Sequence, residues 1–184
     1  MKISFESISI SDEKKDLVAF LSSEEWPFHV NNRLTPDKIL KMIDEGVFSG
    51  SNNESFWILD RSRERIGFIR IFDLEDISDG YPLFDLRIRN KHRGQGVGRA
   101  AVQWLTQYLF EKHPQLERIA GTTRADNFAM RKTFISNRYA KEGHYRKDWT
   151  AADGKRFDTV KYGILREDWV SGETTPVDWR LDIG

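Results

Sequence analysis

Residues 83–110, LFDLRIRNKHRGQGVGRAAVQWLTQYLF, join a strand pattern to a helix pattern through a turn in which every second residue is glycine. Phe84, Leu86 and Ile88 alternate with polar neighbours, which predicts a strand with one buried face. Val97, Ala100, Ala101, Trp104, Leu105, Tyr108 and Leu109 recur at helical spacing, which predicts an amphipathic helix. Between them stand Arg93, Gly94, Gln95, Gly96, Val97 and Gly98. Glycine keeps Cβ atoms out of the way, and the first N–H groups of a helix have no carbonyl partners. Those donors and the positive end of the helix dipole make a site for phosphate or pyrophosphate. Arg87, Arg89, Lys91, Arg93 and Arg99 lie between Asp85 and Glu111 with no acidic residue intervening. The segment suits a polyanion.

Spacing narrows the choice of polyanion. A P-loop requires G-x-x-x-x-G-K-[ST], and Gly98 is followed by Arg99 and Ala100. A dinucleotide site requires G-x-G-x-x-G and an acidic residue after the next strand; the glycines are one residue too tight, and Thr122-Thr123-Arg124 occupies the second place. The pattern that fits is [Q/R]-x-x-G-x-[G/A], filled by Arg93, Gly96 and Gly98. In this the chain resembles the GNAT superfamily of N-acetyltransferases, whose strand–turn–helix grips the pyrophosphate of acetyl-CoA. A glycine-rich turn with no ligand is the plainer alternative. The resemblance implies coenzyme contacts from Arg93, Gly94, Gln95, Gly96, Val97, Gly98 and Arg99, and from the strand backbone at Leu86, Arg87 and Ile88. It implies acetyl-CoA as co-substrate; no metal is expected, on the residue spacing given below.

The remaining chain agrees with that order. Residues 2–10 alternate as a strand, irregular near Ser7; Ser11-Asp12-Glu13 opens a helix whose buried face is Leu17, Phe20 and Leu21. Residues 24–29 break it, and Thr35-Pro36-Asp37 opens a second helix that Gly46 ends. Residues 56–59 and 66–72 read as paired strands, followed by an acidic loop over residues 73–80. After the central unit come a strand at 117–123, a helix at 126–136, and a hairpin of 139–149 with 157–165 around Asp153-Gly154. The expected fold is α/β (α+β), GNAT-like: a mixed, mostly antiparallel sheet of about seven strands flanked by four helices. Residues 1–169 make the acetyltransferase domain and 170–184 a C-terminal extension. Ile66-Gly67-Phe68, Glu142-Gly143 and Tyr162-Gly163-Ile164-Leu165 resemble the ribosomal-protein-acetyltransferase-like branch. Two departures stand out. Arg138-Tyr139 replaces the usual Gly-Phe, leaving Asn137 as the helix stop, and Phe134 occupies the place of a tyrosine general acid.

Composition excludes other classes. Lys+Arg and Asp+Glu both number 29, so there is no global basic field of the kind nucleic-acid binders carry. Cysteine is absent, which removes disulfides, thiolate metal sites and a cysteine nucleophile. The four histidines follow no metal-ligand spacing, and no G-x-S-x-G occurs. The first fifteen residues carry no apolar core of a signal peptide, so a cytoplasmic protein without nucleic-acid or membrane partners is expected. A homodimer is left open.

Acyl transfer to an amine needs a neutral amine, a donor for the carbonyl oxygen, and a proton or positive dipole for the departing thiolate. The resemblance matches Asp85 to the strand position of an acid or base; a salt bridge to Arg87 is the structural alternative. It matches Asn127 to a coenzyme contact, beside a plain N-cap role. Trp26, Phe28, His29 and Tyr81 border the expected acceptor site, where Asp73, Glu75, Asp76 and Asp79 could draw in a cationic amine. His92 reads as a surface residue. The function expected is acetyl transfer to a primary amine, of a protein N-terminus or a small molecule. A non-catalytic coenzyme A sensor or interaction module is the alternative.

Overall fold

The computed structural model describes residues 2–78 and 81–179, except for the side chains of Asp76 and Ser78. In chain order the elements are β1 (Ser4–Ser7), α1 (Ile10–Ser22), α2 (Pro36–Asp44), β2 (Asn53–Leu59), β3 (Arg65–Phe72) and β4 (Leu83–Ile88). There follow α3 (Val97–Lys112), β5 (Arg118–Arg124), α4 (Phe128–Ser136), β6 (Ala140–Thr150), β7 (Arg156–Leu165) and α5 (Arg166–Ser171). The expected single sheet is divided. β1-β2-β3-β4 form one sheet and β5-β7-β6 another, and every ladder is antiparallel. Among the described residues β4 is therefore the edge of one sheet and β5 the edge of the next.

The elements follow from local chemistry. β1 stops early because α1 begins at Ile10, where the Glu13 carboxylate reaches back to accept the Ser9 N–H at 3.0 Å. Thr35 caps α2 through Oγ1, with Pro36 at the first helical position. Four helices are expected and five are present, since Glu167 and Asp168 give the short α5 a negative first turn. The acidic stretch after β3 holds a 3-10 turn at Leu74–Ser78 that buries Ile77; Asp79 lies outside the described residues. Beyond α5, Asp168 is buried and accepts from the Thr175 N–H at 2.9 Å and hydroxyl at 2.6 Å, which ties the extension to the body as far as residue 175. Residues 180–184 of the extension lie outside the described residues.

Two cores fix the relation of sheets and helices. Phe20, Trp26, Ile39, Trp57 and Phe68 fill the space between α1, α2 and one face of the first sheet. On the opposite face, Ile69, Ile71, Leu105, Leu109, Phe134, Tyr139 and Tyr162 form a core shared by both sheets with α3 and α4. Phe134 stacks on Tyr162 of β7, centroids 5.0 Å apart, and meets Phe84 of β4 edge-on at 6.1 Å. A Cβ at Gly121 would lie 2.6 Å from the Phe134 ring, so glycine is required for that ring to reach both sheets. No helix among the described residues is long and apolar enough to cross a membrane.

Candidate active site

The site starts from β4. Arg89 donates its N–H to the Ile66 carbonyl at 2.9 Å, and Gly67 faces Ile88 in the β3–β4 register. In an antiparallel ladder the backbone groups alternate in direction. The N–H groups of Asp85 and Arg87 therefore point to β3, while those of Leu86 and Ile88 point to the open edge. The Ile88 carbonyl also points outward and accepts Arg93 Nε at 2.9 Å. Of the three strand positions expected to offer amides, Leu86 and Ile88 are placed to do so. Arg87 is not: its N–H belongs to the ladder and its side chain is buried.

Below that edge the glycine turn feeds α3. Gly94 and Gly96 have φ of +74° and +84°, left-handed values that favour glycine, and a Cβ on either would meet nothing within 4 Å. Gly96 is the N-cap with no side-chain cap, and no acidic residue occupies the first turn. The first helical bond runs from the Ala100 N–H to the Gly96 carbonyl at 3.1 Å. The amides of Val97, Gly98 and Arg99 thus have no intrahelical acceptor. A Cβ at Gly98 would stand 3.3 Å from Ile88 Cδ1, so glycine there lets α3 settle against β4. The Arg93 and Gln95 side chains turn back, Gln95 Nε2 donating to the Lys91 carbonyl at 2.8 Å. They brace the turn. The free amides, the dipole and the room fit a pyrophosphate.

Asn127 caps α4: Oδ1 accepts from the Met130 N–H at 3.2 Å and Nδ2 donates to Thr123 Oγ1 at 2.9 Å. Its amide is committed to the protein at both atoms. Phe134 is wholly buried among Phe84, Tyr139 and Tyr162, so a proton donor is missing at that point of the helix.

The other face of β4 carries Asp85. Its Oδ2 accepts from Arg87 Nε at 3.0 Å and Nη2 at 2.8 Å, and its Oδ1 lies 2.9 Å from His29 Nε2. Burial by itself would raise the Asp85 carboxyl; the His29 hydrogen bond and the Arg87 charge outweigh it and hold the group well below the usual carboxylate range. A carboxylate held so firmly as an anion is a weak proton acceptor. The geometry makes Asp85 an anchor for His29 and Arg87, which is the structural alternative to its expected role as a base. The second ring nitrogen of His29 faces the carbonyl oxygens of Trp26 at 3.2 Å and Pro27 at 3.1 Å.

Trp26 also departs from expectation. It is fully buried, its indole N–H donates to the Leu21 carbonyl at 2.7 Å, and its ring stacks on Phe20. It is a core residue that supports the loop and offers no surface to an acceptor. Phe28, two residues on, has φ +68°, costly for a bulky side chain, and its ring is 5.1 Å from the Arg124 guanidinium. Arg124 lies 3.5 Å from the Phe157 ring and is held bidentately by Asp126 at 3.0 and 2.6 Å. Phe28 thereby joins the loop after α1 to the end of β5, across the gap between the sheets. Tyr81 accepts from Lys161 Nζ, and the Arg118 guanidinium stands 4.9 Å from its ring. Arg118 itself pairs with Glu142. Glu75 instead bonds Ser51 Oγ at 2.8 Å.

Sequence reasoning missed Arg70, Arg124, Phe157 and Lys161. The register of β3 and β4 puts Arg70 opposite Asp85, and that of β5 and β7 puts Lys161 opposite Thr122 on the face that also bears Arg124. Strand alternation could have grouped the residues within each strand, but the pairing of strands is needed to bring them together.

Comparison with known proteins identifies the arrangement. A family model described as "Acetyltransferase (GNAT) domain" matches residues 5–138. The N-acetyltransferase 8F1 of Rattus norvegicus is 27% identical over 95 residues, a match covering 50% of this chain and 41% of the rat protein. Among solved structures, a spermidine N-acetyltransferase chimera from Vibrio cholerae and hSSAT superposes with TM-score 0.76, at 16% identity, over 92% of this chain and 99% of that one. The Vibrio cholerae spermidine N-acetyltransferase solved with CoA and spermine gives TM-score 0.74 at 15% identity, over 91% and 98%. These likenesses carry the fold. The family match does not single out the ribosomal-protein-acetyltransferase-like branch.

Proposed function

Because the chain belongs to the GNAT acetyltransferases, we propose that it moves an acetyl group from acetyl-CoA directly to a primary amine. The observation that carries this reading is the convergence of two open sets of donors: the outward amides of Leu86 and Ile88, and the uncapped amides of Val97, Gly98 and Arg99. Acetyl-CoA supplies a thioester already activated for acyl transfer. The amides of the glycine turn hold the pyrophosphate, and those of Leu86 and Ile88 align the chain that follows it and donate toward the acyl oxygen. Asp85 fixes His29 and Arg87 on the acceptor side, and Phe28 with Arg124 walls that side off. With Asp85 a weak base, the amine reaches the site neutral and gives up its proton to water. Protein N-terminal amines and polyamines are the two acceptor types suggested by the sequence and by the structural neighbours.

A second reading, a coenzyme A sensor without turnover, draws on Phe134, which leaves the departing thiolate without a side-chain acid from α4. Titration calorimetry with acetyl-CoA followed by thiol release against a panel of amines separates the two. Binding with release well above spontaneous hydrolysis supports the enzyme; binding without release supports the sensor. No binding at ~1 mM would remove both, since specific small-ligand sites are tighter than that.

A further inference from the structure

The loop between α1 and α2 lies along β4 and runs opposite to it, as three contacts show. Near its start the Glu24 carboxylate accepts the Asn90 N–H at 2.7 Å and stands 3.7 Å from Arg89 Nη1. Trp26 follows, its ring centroid 5.7 Å from the Arg87 guanidinium. His29 then meets Asp85 at 2.9 Å. Asp85, Arg87 and Arg89 stand two residues apart on β4 and its continuation, so they share the face that the loop covers. The His29 end of the loop lies on the side assigned above to the acceptor. The Glu24 end touches the coenzyme side, because Asn90 opens the 3-10 turn Asn90–His92 that leads into the glycine turn.

The first N–H groups of a helical turn find no acceptor within it. Here the turn's own bonds run from the His92 N–H to the Arg89 carbonyl at 2.9 Å and from the Arg93 N–H to the Asn90 carbonyl at 3.2 Å. Glu24 supplies the acceptor that the Asn90 N–H lacks, in a short, charge-assisted bond. Arg89 is held independently of Glu24, by the Arg65 carbonyl at 3.0 Å and over the Phe20 ring at 4.6 Å. We infer that Glu24 is a positioning residue: its bond to the Asn90 N–H makes the loop over residues 24–29 and the coenzyme turn settle together. Coenzyme binding at the turn thereby firms the acceptor side. The inference rests on the acetyltransferase reading and adds to it a link between its two sites. Coupling of this kind is reciprocal, so the anchored loop strengthens coenzyme binding by the factor with which coenzyme steadies the loop.

The test is amide hydrogen exchange by mass spectrometry on the whole protein, with and without coenzyme A. In the wild type, coenzyme A should slow exchange in peptides covering residues 25–33, outside the glycine turn itself. Glu24→Ala should bind coenzyme A up to about tenfold more weakly, the worth of one charge-assisted hydrogen bond. At saturating coenzyme A its loop should still exchange as in the free protein. Glu24→Gln keeps an oxygen to face Asn90 and should restore most of the response, a rescue that a general loss of packing would not give. If Glu24→Ala folds poorly, Asn90→Pro removes the donor instead. Arg89 already has φ −52° and ψ 139°, which suit a residue before proline, and Asn90 is exposed at the first place of its turn. Asn90→Pro should lose the loop response as Glu24→Ala does. A loop that responds equally in the wild type and these variants, or that stays unchanged in the wild type, would overturn the inference and leave the acetyltransferase standing. Equal loss in Glu24→Gln and Glu24→Ala would likewise overturn the hydrogen bond as the link. A wild type that fails to bind coenzyme A at ~1 mM would overturn both readings.

Discussion

His29 Nε2 lies 2.9 Å from Asp85 Oδ1, and this contact sets the loop after α1 against the edge strand of the first sheet. Asp85→Asn removes the charge that holds His29 and leaves buried Arg87 without its partner. Loss of one member of a buried pair costs roughly 3 kcal/mol, to be read from urea unfolding. The depressed pKa sets the pH window. The pair's contribution is fully present above the ordinary aspartate value of about 4 and is lost only as pH falls through the lower folded value. Wild type and Asp85→Asn should therefore differ in stability by a constant amount from neutral pH down to about 5, and converge in stronger acid.

The same depression governs the rate. Asp85 stays ionised throughout the neutral range, so it gives no acid limb to the activity profile. kcat/KM should rise about tenfold per pH unit until the acceptor amine reaches its own pKa, and the break should move with the acceptor. A break at one fixed pH for acceptors of different pKa would place a titrating protein group in the proton path.

Gly96 tests the pyrophosphate cradle. Gly96→Asp puts a carboxylate among the free amides of α3 and should weaken acetyl-CoA binding by roughly 100-fold or more, given repulsion in place of a charge-assisted contact. Gly96→Asn has nearly the same shape and also tolerates positive φ, and it should lose far less. Equal losses for the two would assign the effect to the backbone and not to charge.

Phe28→Gly separates strain from function. Glycine relieves the φ of +68°, worth about 1–2 kcal/mol, while losing the packing on Arg124, so urea stability should change little. The acceptor KM should rise about tenfold as the wall between the sheets opens, with coenzyme affinity unchanged, consistent with loss of binding shared by ground and transition states. Kinetics with one acceptor and calorimetry with acetyl-CoA check both halves.

Trp26→Ala should act on the fold. Removing a fully buried indole costs about 3–5 kcal/mol, and Trp26→Phe, which keeps most of the volume and loses the bond to Leu21, about 1–2 kcal/mol. Denaturant midpoints give both values. A Trp26→Phe variant of unchanged stability but raised acceptor KM would return Trp26 to the acceptor site.

What the sequence disclosed and what it withheld follow from the range of the interactions. The glycine turn, the strand before it and the helix after it are written in consecutive residues, because backbone φ, capping and amphipathic spacing are local. The division into two sheets was not legible: it depends on β4 and β5 lacking a common ladder, a relation between residues some thirty apart. Trp26 and Phe28 stand two positions apart and look equally suited to line a cleft. One is core and the other a wall because a left-handed turn at Phe28 reverses its direction. Asp85 was legible as a candidate, but its role depends on His29 and Arg87 meeting it from two sides.

The gap between β4 and β5 also bears on cooperativity. Where neighbouring strands share a ladder, unfolding spreads through their hydrogen bonds; here that route is interrupted, and the two sheets are coupled by Phe134, α3 and the Phe28–Arg124 contact. A ligand bonded along the outward amides of Leu86 and Ile88 would take the place of the missing neighbour strand. Amide hydrogens along that edge should exchange readily in the free protein and become protected with coenzyme. The coenzyme would then be a folding partner as well as a co-substrate, adding an edge contact to two sheets that already share one core.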